Sequence, residues 1–545
     1  MHTRFVGTRL QKPRLFCTAL AGAAFWAGLA STAAWAQAAP PPPSTMSPTP
    51  APAPPPPPAP APRVPDAALS LSPWQAEPEL PPEVLPPKPR ELRPEILIAP
   101  SIGIEGTFTD NAELVPHDKR SDFIARVSLG VDIDVDRGRT TGWLRAFGYY
   151  DHYFKVDDLS GWTVSSDGFV NYDIVRDILA VQAGGSYSDQ YVSVLGIPET
   201  VRAGTPGRAR VGLVYAGPVL TTRLGGFADL QAAARGGKVW YSEADNSDVE
   251  DVLPSDDAFV QLGARLDTGA RARSYQLIST GKFVADDRDY RSTSLVQSVY
   301  LRVAPTVRLI ARGGYERVRQ EGVVNIDSPM FSAGLEFSPT DNFRLSLEGG
   351  NRYDRAAWAG SAEWRVSQTF QMTARYWEVL SPDQLQLVDA FSEFVSTEEL
   401  LPSPTSTAGF RVGQNLANQV SFNKQADFGM TYVRESYRLD LMASWSDRRF
   451  IQTNTRDKSV TTRLTATRHS RPDLDLIASV YYADTYESDE FNEGTSWGAE
   501  ATIAYRLNST TDARARYRHQ RGQEFFIAGE QFTENAVILS LEKRF

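Results

Sequence analysis

The stretch "DFIARVSLGVDIDVDRGR", residues 122–139, decides how this chain is read. Phe123, Ala125, Val127, Leu129, Val131 and Ile133 share one side of an extended backbone, while Arg126, Ser128, Gly130, Asp132 and Asp134 share the other. The segment then closes in a short polar turn, "RGR". A half-buried soluble sheet and a strand standing between lipid and water both give this pattern, so the neighbouring segments must arbitrate.

They repeat it. Ile96, Ile98, Ile102, Ile104 and Phe108 form one face near the start of the regular region, and Phe343, Leu345 and Leu347 alternate with Arg344, Ser346 and Glu348. The chain closes on "ENAVILSLEKRF", residues 534–545, with Val537, Leu539, Leu541 and Phe545 opposite Glu534, Ser540, Glu542 and Arg544. The connections sort by length. "RGR", "RD" (176–177), "SPTDN" (338–342), "RES" (434–436) and "RPD" (471–473) are tight, and between them lie long links such as "TDNAELVPHDKRSD" and "YSEADNSDVEDVLPSDD". Tight turns alternating with long loops predict an all-β fold, an antiparallel up-and-down transmembrane β-barrel. Residues 95–545 divide into about 22 strands, within a range of 18–24. The segment "YAGPVLTTRLGG" and the region near Ala357 each allow more than one division. Trp143, Phe147, Tyr149, Tyr150, Tyr153, Tyr241, Tyr376, Trp377, Trp445 and Tyr482 are expected to form girdles at headgroup level.

The N-terminal residues fit an exported protein. Arg4, Arg9, Lys12 and Arg14 precede an apolar core and a small-residue cleavage pattern at Ala34–Trp35–Ala36, so residues 1–36 read as a signal peptide. Its removal would take four positive charges from a chain of net charge -10, leaving about -14, a balance unsuited to nucleic acid. Cys17, the sole cysteine, lies within it, which predicts no disulfide in the mature protein. Residues 37–94 are a proline-rich leader expected to be disordered in the periplasm. No later apolar run reaches the roughly 18 residues of a membrane-spanning helix, which leaves strands as the means of crossing the bacterial outer membrane. Outer-membrane lipid and the barrel-assembly machinery are the expected partners, with Phe545 as the assembly signal.

The stretch "IAPSIGIEGTFTDNAELVPHDKRSDFIARVSLGVDIDVDRGR", above all its "TFTDNAEL", resembles the opening hairpin of outer-membrane β-barrel porins associated with exopolysaccharide or exosortase systems. Beyond the first hairpins the similarity is one of pattern. It implies a conduit for, or accessory to, surface polysaccharide export, with polysaccharide and export proteins as further partners. It supplies no functional residues.

A barrel lumen needs polar walls and a gate. Arg308, Arg312, Arg344, Arg438, Arg514, Arg516 and Arg518 fall on the polar face and are the expected lumen-lining residues. They could form a basic ladder, or could be neutralised by acids such as Glu348, Glu500, Glu534 and Glu542 on neighbouring strands. No folded plug is legible, which argues against a siderophore-type transporter. The link from Leu380 to Val420 could fold inward as a constriction or lie outside as a loop.

No metal site, cofactor or catalytic motif stands out. "DIDVDRG" (132–138) mimics a calcium loop but places its glycine one position late. The alternatives to a conduit are a structural or ligand-binding barrel acting through external loops, and a lipid hydrolase using His152 or His519 with Ser186 or Ser188.

Overall fold

A computed structural model describes residues 95–191, 208–225, 228–243, 256–268, 275–286, 289–382, 420–487, 493–523 and 531–545. The expected signal peptide, the leader and the centre of the Leu380–Val420 link lie outside these residues. The strands are β1 (Glu95–Thr109), β2 (Asp122–Arg137), β3 (Thr140–Tyr153), β4 (Gly161–Val175), β5 (Leu179–Tyr191), β6 (Arg208–Leu224), β7 (Ala228–Glu243), β8 (Asp257–Asp267), β9 (Tyr275–Asp286), β10 (Arg291–Ala304) and β11 (Val307–Gln320). They continue as β12 (Val324–Thr340), β13 (Phe343–Arg352), β14 (Arg355–Ser367), β15 (Phe370–Pro382), β16 (Val420–Arg434), β17 (Tyr437–Phe450), β18 (Arg456–Arg471), β19 (Leu474–Tyr486), β20 (Gly494–Asn508), β21 (Thr511–Gln523) and β22 (Gln531–Arg544).

Each strand pairs antiparallel with its sequence neighbours, and β1 also pairs with β22 from Ser101↔Arg544 to Thr109↔Ala536. That last ladder closes the sheet into a 22-stranded up-and-down barrel with no free edge strand. All five tight turns read from the sequence lie at the end shared by Glu95 and Phe545, hereafter the turn end. Gly138 (φ +63°) and Asp177 (φ 60°) supply left-handed corners there. The long links lie at the opposite, loop end.

The outer face is apolar. Ile98, Leu129, Leu295, Phe331, Leu347 and Leu539 are all at least half exposed on it, an arrangement that is stable only against hydrocarbon. A turn-end aromatic belt contains Phe337, Phe343 and Trp364, whose rings meet edge to face at 6.3 and 6.1 Å, and a Phe370–Tyr432 pair at 6.3 Å.

The expected girdle needs correction. Trp143 stands opposite Asp134, Phe147 opposite Gly130 and Tyr149 opposite Ser128, all on the polar face of β2, so these rings point into the lumen. Tyr153, Tyr241 and Trp377 also fall on the inward face by register. The physical reason is strand parity: once β2 turns its acids inward, the partner residues on β3 must follow.

The doubtful strand divisions also resolve. "YAGPVLTTRLGG" lies within one long strand, β6, and the corner near Ala357 is a two-residue turn at Tyr353 (φ 54°) and Asp354 (φ 57°). That turn makes β13 and β14 end early, leaving a low stretch in the loop-end wall.

Candidate functional site: the lumen wall and its loop-end mouth

Period-two alternation places all seven predicted arginines on the inward face, and each has a carboxylate close by. Arg308 and Arg344 lie 3.3 and 3.8 Å from Glu336, and Arg312 lies 2.8 Å from Glu348. Arg438 lies 2.7 Å from Asp440, Arg514 lies 4.0 Å from Glu542, Arg516 lies 3.2 Å from Glu500, and Arg518 lies 3.1 Å from Glu534. The wall is therefore a lattice of ion pairs. Phe545 is exposed on the outer side beyond β22; its amide donates to the Pro100 carbonyl at 2.9 Å, and Lys543 lies 4.8 Å from its ring centroid.

Exposure along the inner wall divides in two. On β10, Ser294, Val296, Ser298 and Tyr300 toward the loop end are buried, whereas Arg302 toward the turn end is exposed. On β2, Asp122 and Ile124 are buried and Asp132, Asp134 and Asp136 are exposed. The loop-end half holds its charges dry, in pairs such as Arg518–Glu534 and Arg448–Asp457, and the turn-end half leaves them hydrated.

The wall also opens along two seams near the mouth. Pairing between β14 and β15 stops at Gly360↔Tyr376, so the segment of β15 from Trp377 to Pro382 continues without β14 beside it. A strand edge without a neighbour must bury its apolar side chains elsewhere. Trp377 joins a buried cluster with Val296, Met330, Ala357 and Ala359, which belong to the inward faces of β10, β12 and β14. Tyr290, in the β9–β10 connection, donates to the Leu380 carbonyl at 3.5 Å, and the Tyr353 and Phe422 rings meet nearly perpendicularly at 6.3 Å. Along the wall, β10 and β15 are five strand spacings apart, roughly 24 Å. A hydrogen bond between their loop ends therefore means that the β15–β16 stem leans across the mouth. Of the expected constriction at Leu380–Val420, these two stems are the described part.

The second seam is between β4 and β5, where pairing begins only at Ser166↔Tyr187. Above it, Arg208 of β6 bonds Asp189 at 2.7 Å and reaches Thr163 of β4 at 3.4 Å. Val211, Leu213 and Tyr215 of β6 belong to the same buried cluster as Tyr290, Tyr353, Leu380 and Phe422. One apolar belt thus follows the mouth from β6 to β16.

"TFTDNAEL" (107–114) proves to be a clasp. Thr109 donates to Glu534 at 2.6 Å, and Asp110 accepts from both the backbone and the side-chain amide of Asn535 at 2.7 Å. Asn111 donates to the Val115 and Thr533 carbonyls, and Leu114 packs on Phe532. Its side-chain hydrogen bonds beyond its own loop go to β22, while Ala112 packs with Ile124, Tyr153 and Val156 on the other side, so the motif fastens the seam where the barrel closes. In the same loop, the hydrogen bond from Arg120 to Glu113 holds the Arg120 guanidinium above its ordinary pKa.

Residues considered for hydrolysis are not brought together. By register His152 faces outward, beside Phe154 at 4.8 Å, whereas Ser186 and Ser188 face the lumen. His519 faces outward against Trp497 at 5.1 Å. Among the described residues no three His, Cys, Asp or Glu side chains converge as metal ligands.

A closed sheet that is oily outside and charged inside defines an outer-membrane β-barrel protein. No protein-family model matches the chain, and no curated protein matches it. Solved structures of similar architecture include a ferric enterobactin receptor, PfeA, from Pseudomonas aeruginosa (10% identity, 82% of this chain and 80% of that one, TM-score 0.46). They also include the siderophore receptor PirA from Acinetobacter baumannii (8%, 83% and 81%, 0.49) and the FrpB iron transporter from Neisseria meningitidis (10%, 82% and 82%, 0.46). At that distance the likeness concerns the fold and says nothing of cargo.

Proposed function

We propose that this protein is a gated outer-membrane conduit for hydrophilic cargo, open toward the periplasm and closed at its outer mouth by the inward-leaning β15–β16 stem, and that it serves surface exopolysaccharide export without acting as an enzyme. The observation that carries the reading is the inner wall itself. An ion-paired polar lining stays hydrated over the turn-end half and is dry and capped by an apolar belt over the loop-end half. A sealed structural barrel has no need of a hydrated half-lumen. The resemblance of residues 98–139 to porins of exopolysaccharide systems supplies the cargo class.

The test is planar-bilayer conductance. The native protein should pass little current, and Trp377→Ala combined with Phe422→Ala should raise the open probability severalfold by loosening the stem. A barrel that stays silent in both forms would favour the structural or loop-binding alternative. In the producing cell, deletion should trap polysaccharide in the periplasm, and unaltered surface polysaccharide would remove the cargo assignment.

A further inference from the structure

Parity turns three aromatic rings into the lumen, Trp143 and Phe169 where the wall begins to be hydrated and Phe147 at the edge of the dry half, opposite the buried Ser165. Trp143 and Phe169 stand directly opposite one another on β3 and β4, and Phe147 follows four residues along β3, about 13 Å nearer the mouth. All three are half-buried rather than sealed. Beside Phe147 the wall lets a ring lie close, because its partner is Gly130, whereas Gly184, the partner of Phe169, is covered by the Tyr215 ring. Tyr149 ends the row, its ring covered by the Arg126 guanidinium at 3.9 Å.

The neighbours are planar and polar, and around Trp143 and Phe169 the carboxylates Asp132, Asp134 and Asp167 outnumber the one guanidinium, Arg145. Asp132 and Asp134 flank the row on β2 and are exposed, while Asn171 on β4 and Gln182 on β5 form an inward-facing pair beside it. Arg145 stands within the row, between Trp143 and Phe147, opposite Asp132 on one side and Asp167 on the other and 5.4 Å from the Trp143 ring. Apolar ring faces with carboxylate and carboxamide groups at their edges match one ligand chemistry. A sugar ring presents an apolar C–H face and a rim of hydroxyls that both donate and accept hydrogen bonds. The exposed carboxylates disfavour an acidic sugar.

We infer that Trp143, Phe147 and Phe169 form a binding track for neutral glycan chains on the lumen wall. The inference rests on the conduit reading and names the residues by which that conduit would hold its cargo.

The experiment uses the full-length protein in detergent, titrated calorimetrically with maltohexaose as a neutral probe and with hexagalacturonate as an acidic one. The comparison adds Trp143→Ala/Phe169→Ala, the milder Trp143→Leu, and Trp358→Ala, which removes an exposed outward ring. Heat-modifiable gel migration reports folding of each. The expected result is saturable binding of maltohexaose, weakened about tenfold in the double variant, about threefold in Trp143→Leu, and not at all in Trp358→Ala. Three results would overturn the track: no binding of maltohexaose by the native protein, equal affinity in the folded Trp143→Leu variant, or tighter binding of hexagalacturonate. Liposome swelling with a small neutral solute, carried out on the Trp377→Ala/Phe422→Ala variant whose stem is loosened, reads conduction separately, so a failed track leaves a working conduit recognisable.

Discussion

The two halves of the inner wall are built from the same strands and the same residue types, yet they solve opposite problems. Toward the loop end the charges are removed from water, so each must be matched by an opposite charge and by hydrogen bonds. Glu534 shows this, accepting from Thr109, Arg518 and Gln520 while fully buried. Toward the turn end the Arg514–Glu542 pair at 4.0 Å retains 24% and 31% side-chain exposure, and water screens it. The difference teaches that an arginine's place on the polar face does not fix its worth; its height in the barrel does.

That contrast can be broken experimentally. The largest effect is expected for Arg518→Ala, which strands the buried Glu534 charge and should cost about 3–5 kcal/mol in urea unfolding from lipid vesicles. A loss below about 1 kcal/mol would show that the loop-end wall is wetter than its burial implies. Next comes Leu129→Arg, midway along β2 on the outer face, expected to cost about 2–4 kcal/mol in the same assay because it places a cation in hydrocarbon. A neutral outcome would remove the lipid-facing assignment of that side. The smallest effect belongs to Arg514→Ala, below about 1 kcal/mol. A cost matching that of Arg518→Ala would erase the distinction between the halves.

Much of the fold was legible because strand alternation and turn length are local properties. The faces of β1, β2, β13 and β22 follow from period two alone, and the division of tight turns from long loops orients the barrel. Partnership was less legible. Arg312 reaches past β12 to Glu348 on β13, whereas Arg438 finds Asp440 two residues along its own strand, so the register and strand tilt decide which acid neutralises which base. The aromatics misled because an indole or phenyl ring suits a headgroup belt and a hydrated wall alike, and only pairing of Trp143 with Asp134 separates the two. The Tyr353–Asp354 turn carries no glycine or asparagine to signal left-handed backbone. Its early corner is nevertheless what lowers the wall and releases the β15–β16 stem. The clasp function of "TFTDNAEL" was hidden for a related reason, since the hydrogen-bond partners that make it a clasp lie more than 400 residues away on β22.

The central claim is that the lumen is closed at the outer mouth and open to the periplasm, and cysteine labelling on β10 tests it most directly. Arg302→Cys marks the hydrated half, Ser298→Cys the dry half, and Lys119→Cys the exposed β1–β2 connection. With a membrane-impermeant maleimide on intact cells, the account predicts rapid labelling of Lys119→Cys and none of the other two. Opening the periplasm to the reagent should then label Arg302→Cys while Ser298→Cys stays unreactive. Rapid labelling of Arg302→Cys from outside intact cells would contradict it.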